Sequence, residues 1–262
     1  MGEVNREAKE IRAKIVYFGP SDAGMTANLE TLHRKLKKQH RGELRVVPVP
    51  KDRTAAYEVL PVDLGEVRGF STAIQIYSVP GASKHKETRG QILEDVDGIV
   101  FVADLRQQQH DATLAALKEL QALLKRNGRR LDDIPLVVQY NRRDLVDESA
   151  LDALHRRLGL QPKAYFEAVA SEGSGVLQTL TTLSKVMLSE IRKQPDSKPQ
   201  AASVAQVDAS GPVAPDKGFR VESAGPAQGS ANEVEVPITL VEEATGRRVE
   251  FSLRLTLGDP RE

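Results

Sequence analysis

Along the first 193 residues, short apolar runs alternate with longer stretches whose apolar positions recur every three to four residues. Lys14-Ile15-Val16-Tyr17-Phe18 stops at Gly19-Pro20, and Ile74-Gln75-Ile76-Tyr77 stops at Pro80-Gly81. Gly98-Ile99-Val100-Phe101-Val102-Ala103 stops at Asp104, and Leu136-Val137-Val138-Gln139-Tyr140 at Asn141. Near-continuous apolar runs of this length predict strands covered on both faces, as in a parallel sheet. Between them, Leu114, Leu117, Leu120 and Leu124, and later Leu177, Leu180, Leu183, Met187 and Ile191, each mark one apolar stripe of a helix. The alternation predicts an α/β fold, with a mostly parallel open sheet and helices on both faces joined by right-handed crossovers.

The pattern changes at Gln194. From there to Asn232, 22 of 39 residues are Pro, Gly, Ser or Ala, and Phe219 is the one aromatic. Such a stretch buries too little surface to offset its ordering entropy, so 194–232 reads as a flexible linker. Beyond it, Val234, Val236, Ile238 and Leu240 alternate with polar residues, and Val249, Phe251, Leu253, Leu255 and Leu257 do so after Thr245-Gly246. That predicts a β-hairpin over 233–262 with one apolar face, which must rest on the body, on a second copy or on a partner. The organisation expected is a body over 1–193, a linker and a hairpin extension.

Composition removes several function classes. With 37 Lys+Arg against 37 Asp+Glu, the chain lacks the basic surplus of a protein that wraps nucleic acid. The absence of cysteine excludes thiolate zinc sites, iron–sulfur clusters, disulfides and Cys nucleophiles, and fits a reducing compartment. No run approaches the roughly 18 apolar residues of a membrane helix, and Met1-Gly2-Glu3-Val4-Asn5-Arg6 lacks a signal peptide's apolar core, so a cytoplasmic protein is expected. His33, His40, His85, His110 and His155 lie without metal-ligand spacing and read as surface. No G-x-S-x-G elbow or paired-carboxylate constellation supports another hydrolase class.

In open α/β sheets ligands sit beyond the carboxyl ends of the strands. The first exit is Gly19-Pro20-Ser21-Asp22-Ala23-Gly24-Met25-Thr26, the spacing of a phosphate loop G-x-x-x-x-G-K-[ST] with Met25 where the lysine belongs. Its glycines let backbone N–H groups converge on an anion at a helix N-terminus, and Thr26 is placed to hold Mg²⁺. Asn141-Arg142-Arg143-Asp144, at another exit, resembles the guanine-selecting N-K-x-D motif, in which the Asp carboxylate pairs with the base's N–H groups. Helix capping is the alternative role for Asn141 and Asp144. Val169-Ala170-Ser171 falls where such proteins offer a backbone N–H to the guanine carbonyl, a role given to Ala170.

Ile15-Val16-Tyr17-Phe18-Gly19-Pro20, Asp52-Arg53-Thr54, Leu60-Pro61-Val62-Asp63-Leu64-Gly65-Glu66-Val67-Arg68-Gly69-Phe70, Val79-Pro80-Gly81, Val96-Asp97-Gly98 through Asp104, and Gln139-Tyr140-Asn141 together resemble the MglA-type bacterial Ras-like small GTPases of gliding motility and cell polarity. The resemblance covers roughly residues 10–193. It implies a Ras-like P-loop fold, GTP/GDP switching with Mg²⁺, and a dimeric roadblock-domain partner of the MglB type that activates hydrolysis. It also implies that Arg53 stabilises the transferring phosphoryl group and that Thr54 reaches the metal and γ-phosphate. A glutamine that orients the attacking water is replaced here by Ala82.

Met25 removes a point charge from the β/γ-phosphates. A charge-assisted hydrogen bond is worth about 1.5–3 kcal/mol, so affinity should fall roughly ten- to over a hundredfold. Asp22 adds like charge to the rim of the cradle. Loss of water positioning at Ala82 removes much of what carries phosphoryl-transfer catalysis. The chain therefore reads as a pseudo-GTPase, holding guanine nucleotide weakly or not at all and acting through protein contacts. The alternative is a slow GTPase using Arg53 and groups from Lys14 or an activator.

Overall fold

A computed structural model describes residues 3–49, 52–81, 83–160, 163–193, 219–224, 228–230, 233–242 and 248–256. The chain divides into two compact units, Met1–Ala201 and Ala202–Glu262. In the first, the elements run β1 (Glu3–Asn5), β2 (Glu10–Phe18), α1 (Met25–Lys35), β3 (Arg45–Val49), β4 (Asp52–Val67), β5 (Phe70–Ser78), α2 (Lys86–Ile92), β6 (Gly98–Asp104), α3 (His110–Arg126), β7 (Leu136–Asn141), α4 (Glu148–Leu158), β8 (Ala164–Glu167) and α5 (Val176–Lys193).

The sheet order is β3-β4-β5-β2-β6-β7-β8, with β1 paired to β2. β5, β2, β6, β7 and β8 are parallel to one another, while β3–β4, β4–β5 and β1–β2 are antiparallel. Every residue of β6 and of β7 is buried, as strands covered on both faces require. α1 packs on α5, α3 packs on α2 and α4, and both groups rest on the sheet. The expected mostly parallel α/β sheet is present, and it carries an antiparallel wing that the sequence pattern did not reveal.

That wing turns at Arg68-Gly69, both with positive φ (53° and 84°), the conformation a tight two-residue hairpin loop needs. Its register pairs Val59 with Tyr77 and Leu60 with Ile76. This register brings Glu58 beside the carboxyl end of β5.

In the second unit, β11 (Glu233–Glu242) and β12 (Arg248–Thr256) are antiparallel, with Val236 opposite Leu253 and Ile238 opposite Phe251. Two further strands, β9 (Phe219–Ala224) and β10 (Gln228–Ser230), pair with β11 inside the span read as linker. Backbone pairing to a long neighbour needs little apolar content, which is why composition gave no sign of them. The expected turn at Thr245-Gly246 lies outside the described residues, as does Leu257. No helix among the described residues is long and apolar enough to cross a membrane.

Candidate functional site

β2 ends at Phe18 and α1 begins at Met25, so residues 19–24 form a loop over the carboxyl end of the central strand. The loop tightens where Ala23 N–H donates to Pro20 O at 3.3 Å. Its backbone is left-handed at Asp22 (φ 60°) and Gly24 (φ 97°). Asp is among the few side chains that accept this region readily. At Gly24 glycine is required twice over, by φ and because a Cβ would lie 2.3 Å from Asn141 Nδ2. Turned amides followed by a helix N-terminus make a concavity suited to an anion.

The neighbouring exits are stitched to this loop by one side chain. Asn141, at the end of β7 and 2% exposed, donates from Nδ2 to Ala23 O at 2.7 Å and accepts at Oδ1 from Ala170 N–H at 2.9 Å. Leu105 N–H donates to its main-chain carbonyl at 3.1 Å. From α1, Thr31 Oγ1 donates to Ala170 O at 2.8 Å and Lys35 Nζ to Gly173 O at 3.0 Å. Asn141 is thus a clasp between three loops and not a helix cap; the N-cap of α4 is Asp147.

The Ala170 N–H given to a ligand in the sequence reading is already donated to Asn141. The next amide, on exposed Ser171, makes no hydrogen bond among the described contacts. Spacing alone could not separate these two neighbours. Asp144 is exposed, and no described residue bonds to its carboxylate, so it is available to an outside donor. Arg142, itself left-handed (φ 66°), donates from Nη2 to Asp22 O at 3.3 Å and braces the phosphate loop.

On the phosphate side the lysine's replacement is buried. Met25 is 5% exposed and belongs to the apolar core. Described cations nearby have other partners. Arg106 is bidentate on buried Asp104 (Nη2–Oδ2 2.6 Å), a bond that raises its pKa, with Asp22 contributing at longer range. Arg89 of α2, 1% exposed, lies over the Phe18 ring at 4.2 Å and donates to Gly19 O and Gly81 O, each at 3.1 Å. Burial lowers its pKa, and Glu119 at 3.5 Å opposes the shift. Nothing in the motif spacing singled out Arg89. The one sign was its place on the helix after Pro80-Gly81.

Lys14 does not replace the missing lysine. Its Nζ donates to Glu94 O at 2.9 Å and lies 4.9 Å from the Tyr77 ring centre, four residues before the strand end that carries the loop. Arg53 and Thr54 run in β4, but their side chains lie outside the described ones, and Ala82 lies outside the described residues. Beside them, Asp52 pairs with Lys84 Nζ at 2.8 Å and lies 3.5 Å from His85 Nε2. His85 and His110 are buried, against the expectation of surface histidines; His110 Nε2 bonds to Leu105 O at 3.0 Å.

Thr26, exposed at the start of α1, donates from Oγ1 to Glu58 Oε1 at 3.0 Å. Buried Ser78, the last residue of β5, donates from Oγ to Glu58 Oε2 and accepts from Glu58 N–H at 2.8 Å. With its proton on Glu58, the Thr26 oxygen keeps its lone pairs for a cation. Hydroxyl and carboxylate oxygens are the hard donors that Mg²⁺ takes, so these residues fit the ion, with Thr26 as the residue that would hold it. Among the described residues no cluster of three or more His, Cys, Asp or Glu side chains offers another metal site.

The ADP-ribosylation factor (Arf) family model matches residues 3–187. The chain is 37% identical over 193 residues to the mutual gliding-motility protein MglA of Myxococcus xanthus, an alignment covering 74% of this chain and 99% of that protein. It is 24% identical over 187 residues to DnaJ homolog subfamily C member 27 of Gallus gallus, covering 69% of this chain and 63% of the relative. The Mus musculus protein of the same name is 25% identical over 202 residues.

Proposed function

The chain belongs to the Arf/Ras-like small GTPases, as an MglA-type member, and from that premise we propose that it is a pseudo-GTPase, binding guanine nucleotide weakly and acting through its protein-contact surface. The observation that carries this reading is Met25. The side chain at the loop's lysine position is apolar and buried with the core, and each described cation near the loop is engaged by a carbonyl or a carboxylate. Without an ammonium on the β/γ-phosphates, affinity falls roughly ten- to over a hundredfold.

The guanine side is kept. Asn141 holds the loops, the exposed Asp144 carboxylate selects the base's N–H groups, and the Ser171 amide takes the base carbonyl that the sequence reading gave to Ala170. Mg²⁺, when bound at Thr26 and Thr54, supplies neutralising charge to the phosphates. With Ala82 at the glutamine position no side chain there orients water, so Arg53 alone leaves turnover slow or absent. The switch segment from Asp52 to Phe70 stays close to the MglA pattern while the charge-bearing atoms are gone. That is the residue pattern of a surface selected for recognition. A dimeric roadblock-domain protein of the MglB type, in the cytoplasm and in polarity or motility signalling, is the partner this reading names.

The test is titration of the full chain with fluorescent GTP and GDP in Mg²⁺, followed by phosphate release. Micromolar binding without release is expected; Arg53-dependent release overturns the reading.

A further inference from the structure

We propose that β12 is an interaction edge for a second copy of this chain, two β12 strands pairing antiparallel about Ser252 to join two second units into one continuous sheet. The proposal goes beyond the nucleotide site and does not depend on whether that site is filled.

The two edges of the second unit differ. On one side of β11, β10 covers residues 233–235 and β9 covers residues 238–242, both as short strands. Pro237 falls in the gap between them, where a residue without an N–H costs the ladder nothing. On the other side β12 pairs with β11 along all nine of its residues, and no described strand pairs with its outer edge. An edge of that length without Pro, Gly or Lys is a template for another strand.

Charge order selects the occupant. Alternation along β12 puts Val249, Phe251, Leu253 and Leu255 on one face and Arg248, Glu250, Ser252, Arg254 and Thr256 on the other. A register slipped by one residue would set apolar positions beside polar ones, so like faces must match. Centred on Ser252, self-pairing engages the whole strand and sets Glu250 opposite Arg254 of the second copy, twice by symmetry. Centred on Phe251 it would set Arg248 opposite Arg254, a like-charge pair, and centred on Leu253 it would leave Glu250 and Arg254 opposite uncharged residues. The β11 register extends the match across the seam: Glu235, Arg254, then Glu250 of the second copy on one face, and Val236, Leu253, then Phe251 and Ile238 of the second copy on the other. A self-complementary edge closes on a two-fold axis and consumes both free edges, which makes a dimer and not a fibre.

The experiment is sedimentation equilibrium of the full chain over a range of loading concentrations, without nucleotide, which should show a reversible monomer–dimer equilibrium. Glu250→Arg alone, or Arg254→Glu alone, sets like charges opposite each other at both symmetry-related positions and should weaken association about tenfold or more. An equimolar mixture of the two variants restores opposite charges at both positions and should recover the parent's affinity within about threefold, which also shows that both variants fold. Register is read separately. The chain has no cysteine, so Ser252→Cys introduces a single thiol at the symmetry centre, where paired strands bring Cα atoms to about 4.5–5.5 Å, within disulfide reach. Mild oxidation should give a cross-linked dimer with Ser252→Cys and lose it with Ser230→Cys on the far edge. A monomer at every loading, a dimer unmoved by both charge reversals, a mixture no tighter than the single variants, or equal cross-linking at 252 and 230 overturns the proposal.

Discussion

The two halves of the site have changed to different extents. On the base side, the atoms that join loops are in place: Asn141 spans Ala23 O and Ala170 N–H, and Arg142 reaches Asp22 O. On the phosphate side, the proposed reading has Met25 in place of an ammonium, Asp22 at the rim and Ala82 in place of an amide. Yet beneath that same half, Arg89 still binds the carbonyls of Gly19 and Gly81. Scaffold bonds have a folding cost when lost, whereas ligand bonds do not. A site can therefore lose its ligand chemistry and keep its shape, which is what a recognition surface needs.

The largest expected effect tests the scaffold beneath the phosphate half. Arg89→Met strands Glu119 and two carbonyls in the interior and should cost about 3–5 kcal/mol, read by denaturant unfolding. A loss under about 1 kcal/mol would mean that this half is not held by its buried guanidinium. Asn141→Ala leaves Ala23 O and Ala170 N–H unpaired and should cost about 3 kcal/mol. If it weakens nucleotide binding without lowering stability, the clasp is a ligand group and the contrast between halves breaks down.

The combined Met25→Lys and Asp22→Gly change should strengthen GDP binding roughly ten- to a hundredfold, measured by fluorescence titration. No gain would place the defect elsewhere than in the missing charge. Asp144→Ala should reduce the preference for GDP over ADP by about tenfold, as loss of charge-assisted bonds to the base predicts. At the small end, Lys84→Ala removes an ion pair whose lysine is 65% exposed, and stability should move by no more than about 0.5 kcal/mol.

What could be read from sequence followed physical periodicity. β6, β7 and the end of β2 announced themselves as apolar runs because both their faces are covered, while β5 alternates buried and open positions and was marked by its isoleucines. β3 and β4 did not, since an antiparallel wing with Pro61, Asp63 and Glu66 carries polar positions on its open side. β8 is short and mostly exposed, so it left no pattern. Within the site, Gly24, Thr26 and Asn141 were legible as motif spacings. Glu58 and Arg89 were not, because their roles come from strand register and from burial on another helix, and neither has a fixed offset in the chain. That the Ala170 amide donates to Asn141 could not be read from spacing, since the bond joins two loops with no fixed offset in the chain.

The account turns on whether a triphosphate loop without its lysine can still support chemistry. Single-turnover phosphate release, with the full chain in excess over GTP in millimolar Mg²⁺, tests this directly when compared with Arg53→Ala. The account predicts indistinguishable traces, both close to spontaneous hydrolysis. A clear burst of phosphate that disappears in Arg53→Ala would contradict it.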